Sequence, residues 1–337
     1  MNSKERCLAV LRKESPDRTP FFPLLMFFAA NRAKINFRTF ATDPIALAEA
    51  QQNIFENYRT DAVTVSTDAF RISADLGAEM TYPENQTPFA TRPLVETEQD
   101  LKKIMQMKFD PMQPGSRMRQ RIQAIEMLCK NIGDQALICG WVEMPFAEVC
   151  DWFGVENLMY LLFDEPELVH EALEFASKLE VEFAKAQLAA GAHLIGCGDA
   201  AASLISPAQF EEFALPYEQR VTAGIRAAGG LSKLHICGNT TQSLRLIAQN
   251  GADLVNIDSL VEIELAAEVF GERGIPFKGN ADPVRDLMNA TPEQARNKGL
   301  ELIEKTRGLP FMLSPGCEIP ANTSDETYFA FADAVKG

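Results

Sequence analysis

At 337 residues, with 46% hydrophobic and 23% charged side chains, the chain has enough apolar content for a large packed core and is too ordinary in charge for wholesale disorder. The 47 acidic residues against 32 basic ones give a formal net charge of -15. A field of that sign disfavours nucleic acid and anionic membranes as partners, although a few local arginines inside a cleft would suffice for a small anion.

The first residues, Met1-Asn2-Ser3-Lys4-Glu5-Arg6, open a polar amphipathic helix without the apolar core of a secretory signal. No stretch approaches the roughly eighteen uncharged apolar residues of a membrane span. The 7 cysteines are odd in number and irregular in spacing, which argues against a disulfide framework and for a reducing compartment. A cytoplasmic protein is expected. Eight short apolar runs read as strands: 21–28, 62–66, 135–139, 193–196, 231–236, 254–257, 275–278 and 311–313. Most are too continuous to alternate between core and solvent, and read as strands buried on both faces. Between them, Thr42-Asp43-Pro44, Asp164-Glu165-Pro166, Ser206-Pro207, Asp282-Pro283 and Thr291-Pro292 mark helix starts, with proline in the first turn. Strands alternating with helical crossovers predict an α/β fold, a single closed (β/α)8 TIM barrel over residues 1–337. A doubly wound sheet is the rival, weakened because no Gly-x-Gly-x-x-Gly follows an early strand. Residues 71–111 break the rhythm and are expected to form a βα-loop excursion over the barrel mouth, with a strand near 77–83.

The residues that carry chemistry stand at strand ends. His235 and Cys237, in Leu234-His235-Ile236-Cys237-Gly238-Asn239, are two positions apart, so on an extended segment their side chains leave the same side. Cys317, in Ser314-Pro315-Gly316-Cys317-Glu318, follows the last predicted strand. In a barrel both sets lie at the carboxyl face, where barrel enzymes keep their sites. An imidazole and two thiolates are donors for a borderline-soft metal such as zinc, and three protein ligands leave a fourth position free. The competing reading is three ordinary residues, since free cysteines are usually buried and inert. Scarcity counters it, for the chain has only 3 histidines, the others being His170 and His193. Asp68, Glu143, Asp199, Asp258 and Asn280 also fall at strand ends, as candidates for substrate binding or for support of the imidazole. An enzyme is expected rather than a metal-free binding barrel.

On these residues the chain resembles the uroporphyrinogen decarboxylase superfamily, and within it the methylcobamide:coenzyme M methyltransferases. The resemblance runs from Ser3 to the C-terminus and is carried by 191–216, His235-Ile236-Cys237-Gly238-Asn239-Thr240, Gly251-Ala252-Asp253 with Asn256-Ile257-Asp258, Gly279-Asn280-Ala281-Asp282-Pro283, and 313–320. It implies a TIM barrel and a catalytic zinc held by His235, Cys237 and Cys317. It also implies a methylcobamide, carried by a partner corrinoid protein, as methyl donor and a small thiol as acceptor. Superfamily members that load a methyl group from a methoxylated aromatic or a methylamine onto a corrinoid protein supply the alternative function. Decarboxylation of uroporphyrinogen is disfavoured: the decarboxylase has an Arg-Gln-Ala-Gly-Arg run near its first strand, where this chain has Met26-Phe27-Phe28-Ala29-Ala30-Asn31-Arg32. Its late Gly-His-Gly is replaced by Pro315-Gly316-Cys317-Glu318, although Asp68 matches its strand-end aspartate.

Overall fold

Uninterrupted aliphatic runs suit a parallel sheet, because crossover helices cover both its faces. The computed structural model describes residues 1–336 and turns most of those runs into strands. In chain order these are β1 Ala62–Thr64, β2 Met80–Thr81, β3 Phe89–Ala90, β4 Leu137–Glu143, β5 Leu194–Gly198, β6 Ser232–His235, β7 Leu254–Asn256, β8 Phe277–Ala281 and β9 Phe311–Pro315. Seven of them form one curled parallel sheet in the order β1-β4-β5-β6-β7-β8-β9. The remaining two, β2 and β3, pair antiparallel within the 71–111 segment, Met80 opposite Ala90 and Thr81 opposite Phe89. Among the described residues no helix is long and apolar enough to cross a membrane.

The eighth place in the barrel is where expectation and structure part. The run 21–28 forms only two isolated bridges, Phe21 with Leu313 and Leu24 with Glu318. It still spans the gap. Leu313 N donates to Pro20 O at 2.8 Å and Phe22 N to Leu313 O at 3.0 Å on one side, while Asp61 N donates to Phe21 O at 2.8 Å on the other. Pro20 and Pro23 each remove a donor that a regular ladder would need. From Phe27 the chain turns instead into helix Phe27–Arg32. There Phe28 is fully buried and Phe27 stacks on Phe37 with ring centroids 3.7 Å apart.

The third predicted strand is displaced towards the carboxyl face. Gln135 N and Ala136 N still bond to Ile132 O at the end of the preceding helix, at 2.9 Å each, so the strand starts at Leu137. It then runs on through Gly140, and Glu143 becomes its last residue.

The floor is closed by a buried ion pair. Asp61, with no exposed surface, accepts from Arg6 Nη1 at 2.7 Å, Arg18 Nη1 and Nη2 at 2.9 and 3.0 Å, and Phe21 N at 2.8 Å. These bonds tie the N-terminal helix Ser3–Leu11 and the closing segment to the start of β1. Above them the interior is filled rather than hollow. Lys278 Nζ donates to Ser314 Oγ at 3.2 Å and lies 4.3 Å from the Phe22 ring centroid, while Lys233 Nζ lies 4.6 Å from that of Trp141.

Candidate metal centre

His235 ends β6, and Cys237 follows it past one buried isoleucine. Cys317 stands two residues beyond β9. The fold brings all three together. His235 Nε2 is 3.1 Å from Cys237 Sγ, Cys237 Sγ is 3.7 Å from Cys317 Sγ, and one ligand atom from each lies within 4.8 Å of the others. A sulfur–sulfur distance of 3.7 Å is far beyond a disulfide bond, and all seven cysteines are free thiols. Ligands around a tetrahedral ion with bonds of about 2.0–2.3 Å are separated by roughly 3.5–3.8 Å. The two sulfurs have that spacing, and the imidazole nitrogen stands closer to Cys237 at 3.1 Å, near enough for all three to share one ion.

The imidazole is aimed by its second nitrogen. His235 Nδ1 lies 3.4 Å from Asn256 O, which assigns the proton to Nδ1 and leaves the Nε2 lone pair facing the sulfurs. The same residue holds the other ligand segment, since Asn256 Nδ2 donates to Gly316 O at 3.2 Å and to Ile257 O at 3.2 Å. Gly316 N donates to Ala281 O at 2.8 Å. Only glycine fits there, because a Cβ would stand 2.3 Å from Ser259 N. One residue beyond Cys317, the Glu318 carboxylate accepts from Met26 N at 2.9 Å and from Phe27 N, at the start of a helix. The turn bearing Cys317 is thus braced against three neighbours.

The two sulfurs compete for protons. A hydrogen bond from Cys237, with help from His235, pulls the Cys317 thiol down to about 3, and the same contact plus burial pushes Cys237 up. A cation among them would remove the competition, with both sulfurs held as thiolates.

The other expected residues separate into two groups. Glu143 and Asp258 lie close enough to Cys237 for their charge to oppose its ionisation. Burial raises the Glu143 carboxyl to about 7 against the pull of Arg71, which bonds it. Asp258 Oδ1 accepts from Leu260 N at 2.9 Å and closes the turn after β7. Asn280 braces that turn, donating to Asp258 O at 3.2 Å and Val261 O at 2.6 Å. Asp68 has both oxygens engaged, one by Arg117 Nη2 at 2.6 Å and Thr67 Oγ1, the other by Phe70 N at 3.1 Å. Burial works against its charge, but Arg117, Arg71 and Arg121 outweigh it and hold the carboxyl below its ordinary range. Asp199 is fully buried against Glu218 of helix Leu215–Ala227, a carboxyl pair that burial pushes up, Glu218 to about 7. Its backbone N–H reaches His235 O at 2.9 Å, but the carboxyl does not support the imidazole; the Asn256 carbonyl does. Asn256 and Arg117, behind Asp68, are the residues that strand-end reasoning passes over. The one signal for Asn256 is its place in Asn256-Ile257-Asp258, a polar residue closing an apolar strand.

Comparison with known proteins agrees with this architecture. The chain is 28% identical to the methylcobamide:CoM methyltransferase MtbA of Methanosarcina acetivorans, over 99% of this chain and 97% of that one. It is 25% identical to a uroporphyrinogen decarboxylase of Prochlorococcus marinus, over 89% and 85% of the two chains. A solved methyltransferase from Methanosarcina mazei superposes with a TM-score of 0.88 at 22% identity, covering 100% of this chain and 98% of that one, a likeness of fold. Residues 2–337 match the uroporphyrinogen decarboxylase (URO-D) family, and the chain belongs to it.

Proposed function

We propose that this chain is a zinc-dependent methyltransferase, moving a methyl group between a methyl-Co(III) corrinoid on a separate protein and a small thiol such as coenzyme M. The observation that carries the reading is the convergence of one imidazole nitrogen and two sulfurs within 4.8 Å at the carboxyl ends of β6 and β9. Two sulfurs and a nitrogen suit zinc among the common divalent ions, and three protein ligands are the number that catalytic sites use. Zinc there supplies a Lewis acid that favours the thiolate form of an incoming thiol and leaves its sulfur nucleophilic.

The chain's own residues set the conditions for that chemistry. Two thiolates with a neutral imidazole give the ligand set a net negative charge, which keeps electron density on the acceptor sulfur. The Asn256 carbonyl keeps the imidazole in the ligating tautomer, while its amide and Glu318 hold Cys317 in place. The corrinoid must reach the same mouth, so the carboxyl-end face is also where its carrier protein docks.

Porphyrinogen decarboxylation is the weaker reading, because a substrate of many carboxylates would find few basic partners. Arg71 and Arg117 are bonded to Glu143 and Asp68, and Arg32 is engaged by Asp325, Ala321 O and Thr323 O. The test is to incubate zinc-loaded protein with methylcobalamin and a panel of thiols, coenzyme M and homocysteine among them, while following the cobalt spectrum. Conversion to Co(I) with at least one thiol is expected, and no change with any of them would overturn the thiol acceptor.

A further inference from the structure

Register across three neighbouring strands sets Glu143 of β4 beside Gly198 of β5, and Gly198 beside His235 of β6. Residues paired in this way face the same side of a pleated sheet, so the carboxylate and the imidazole share one layer, with their Cα atoms two strand spacings, about 10 Å, apart. Only a glycine stands between them. A Cβ on Gly198 would lie 2.4 Å from Glu143 Oε2 and 3.1 Å from the Trp141 ring, so the carboxylate occupies the space that a larger residue would fill. Glu143 Oε1 is taken, accepting from Arg71 Nη2 and from Trp141 Nε1 at 2.9 Å. Oε2 has no donor among the described residues, although Glu143 is only 8% exposed. Its charge is felt at Cys237. A carboxylate oxygen without a protein donor, on a largely buried side chain beside a metal-ligand cluster, calls for a role.

We propose that Glu143 Oε2 is the base that accepts the proton of the acceptor thiol as its sulfur enters the fourth ligand position, a role that rests on the thiol reading above. The S–H bond breaks, an O–H bond forms on Oε2, and the electron pair stays on sulfur. No oxidant or further reactant is required. Arg71 remains on Oε1 and keeps the carboxyl oriented through both protonation states. Burial raises the carboxyl to about 7 against Arg71, near the value that a base working at neutral pH needs. The other groups whose charge couples to Glu143 are Glu148 and Asp151 on helix Pro145–Phe153, Glu180 on helix Pro166–Ala189, Asp199 and Cys237. Burial raises all four acids, and Arg71 is the cation bonded to Glu143.

The test counts protons. Coenzyme M or homocysteine is titrated into the metal-loaded chain by calorimetry, in buffers of different ionisation enthalpy. With Glu143 as acceptor, wild type releases about one proton per thiol near pH 6, where the carboxyl is already protonated, and less than about half a proton near pH 7.5. Glu143→Gln releases about one proton at both. Equal counts in the two proteins would overturn the role. So would a wild-type count that stays at one across the range, which needs no variant to fold. Cobalt(II) in place of zinc separates the two readings through its sulfur-to-metal charge-transfer band. Thiol binding seen in that band with an unaltered proton count removes only the base, whereas no thiol-dependent band with either thiol removes the thiol acceptor and this role with it.

Discussion

The floor and the mouth of this barrel both bury polar groups, and they treat them in opposite ways. At the floor, Asp61 receives four hydrogen bonds from Arg6, Arg18 and the Phe21 amide. At the mouth, His235 Nε2 and two sulfurs point at one another with no carboxylate or ammonium between them. Groups that close a structure are satisfied within it, whereas groups that bind something keep lone pairs in reserve. The distinction predicts which substitutions cost stability and which cost ligand.

Replacing Cys317 with serine should have the largest effect on function. A hard hydroxyl in place of one of three soft donors is expected to abolish stoichiometric zinc, measured by metal analysis after dialysis, with a loss of methyl transfer beyond the roughly 10–100-fold that an outer partner costs. Full zinc retention in C317S would remove Cys317 from the ligand set. Asp61→Ala tests the other end. It removes the buried carboxylate from Arg18 and from Nη1 of Arg6, which keeps only Asp17 as its ionic partner, at a cost of at most about 3–5 kcal/mol. Denaturant unfolding should report that loss while zinc content stays at one per chain. A D61A protein that kept its stability and lost its metal would collapse the contrast between floor and mouth.

How much of this was legible in the sequence depends on which face of a strand had to be known. His235, Cys237 and Cys317 stand out because soft donors are scarce at strand ends, and the structure gathers them. Asp199 and Asn256 are both polar residues at a strand's carboxyl end, and chain position does not separate them. A shift of one residue along a strand exchanges its two faces. Gly198 pairs with His235 on the interior side, so Asp199, the next residue, turns to the helix layer and Glu218. Asn256 orients the imidazole through a backbone carbonyl, which no side-chain pattern encodes, although its side-chain amide also holds the Cys317 turn. The first predicted strand fails for a different reason: Phe21, Phe22, Phe27 and Phe28 supply the apolar signal, but Pro20 and Pro23 remove the donors that would make it a ladder.

Asn256→Ala sharpens the mouth side of the comparison. The backbone carbonyl that holds His235 survives, while the amide that ties down the Cys317 turn is lost. Zinc affinity, measured by chelator competition, should fall by about 10–100-fold, in the range of outer-partner losses. The charge-transfer band of the cobalt(II) form should shift as the Cys317 sulfur moves. An unchanged affinity and spectrum would show that the turn is held by Gly316 N and Glu318 without it.

The smallest expected effect is a pH dependence of stability, and it comes from the layer between floor and mouth. Burial raises Asp199, Glu148, Glu180 and Asp151 above the ordinary carboxylate range and puts Glu218 at about 7. A folded-state value above the unfolded one means that the native chain binds more protons than the unfolded chain between about pH 4.5 and 7. Stability therefore falls as pH rises through that window. Glu218→Gln keeps the shape without the ionisation, and should flatten the fall by about 1–3 kcal/mol between about pH 5 and 7.5 in urea titrations. An unchanged slope would mean that the Asp199 pair binds no extra proton on folding. Metal affinity moves the other way, rising with pH as the two thiols ionise. Measured on one protein, the two curves should cross in sign: the helix layer is held best in mild acid, whereas the ligand cluster is ready only once acid is withdrawn.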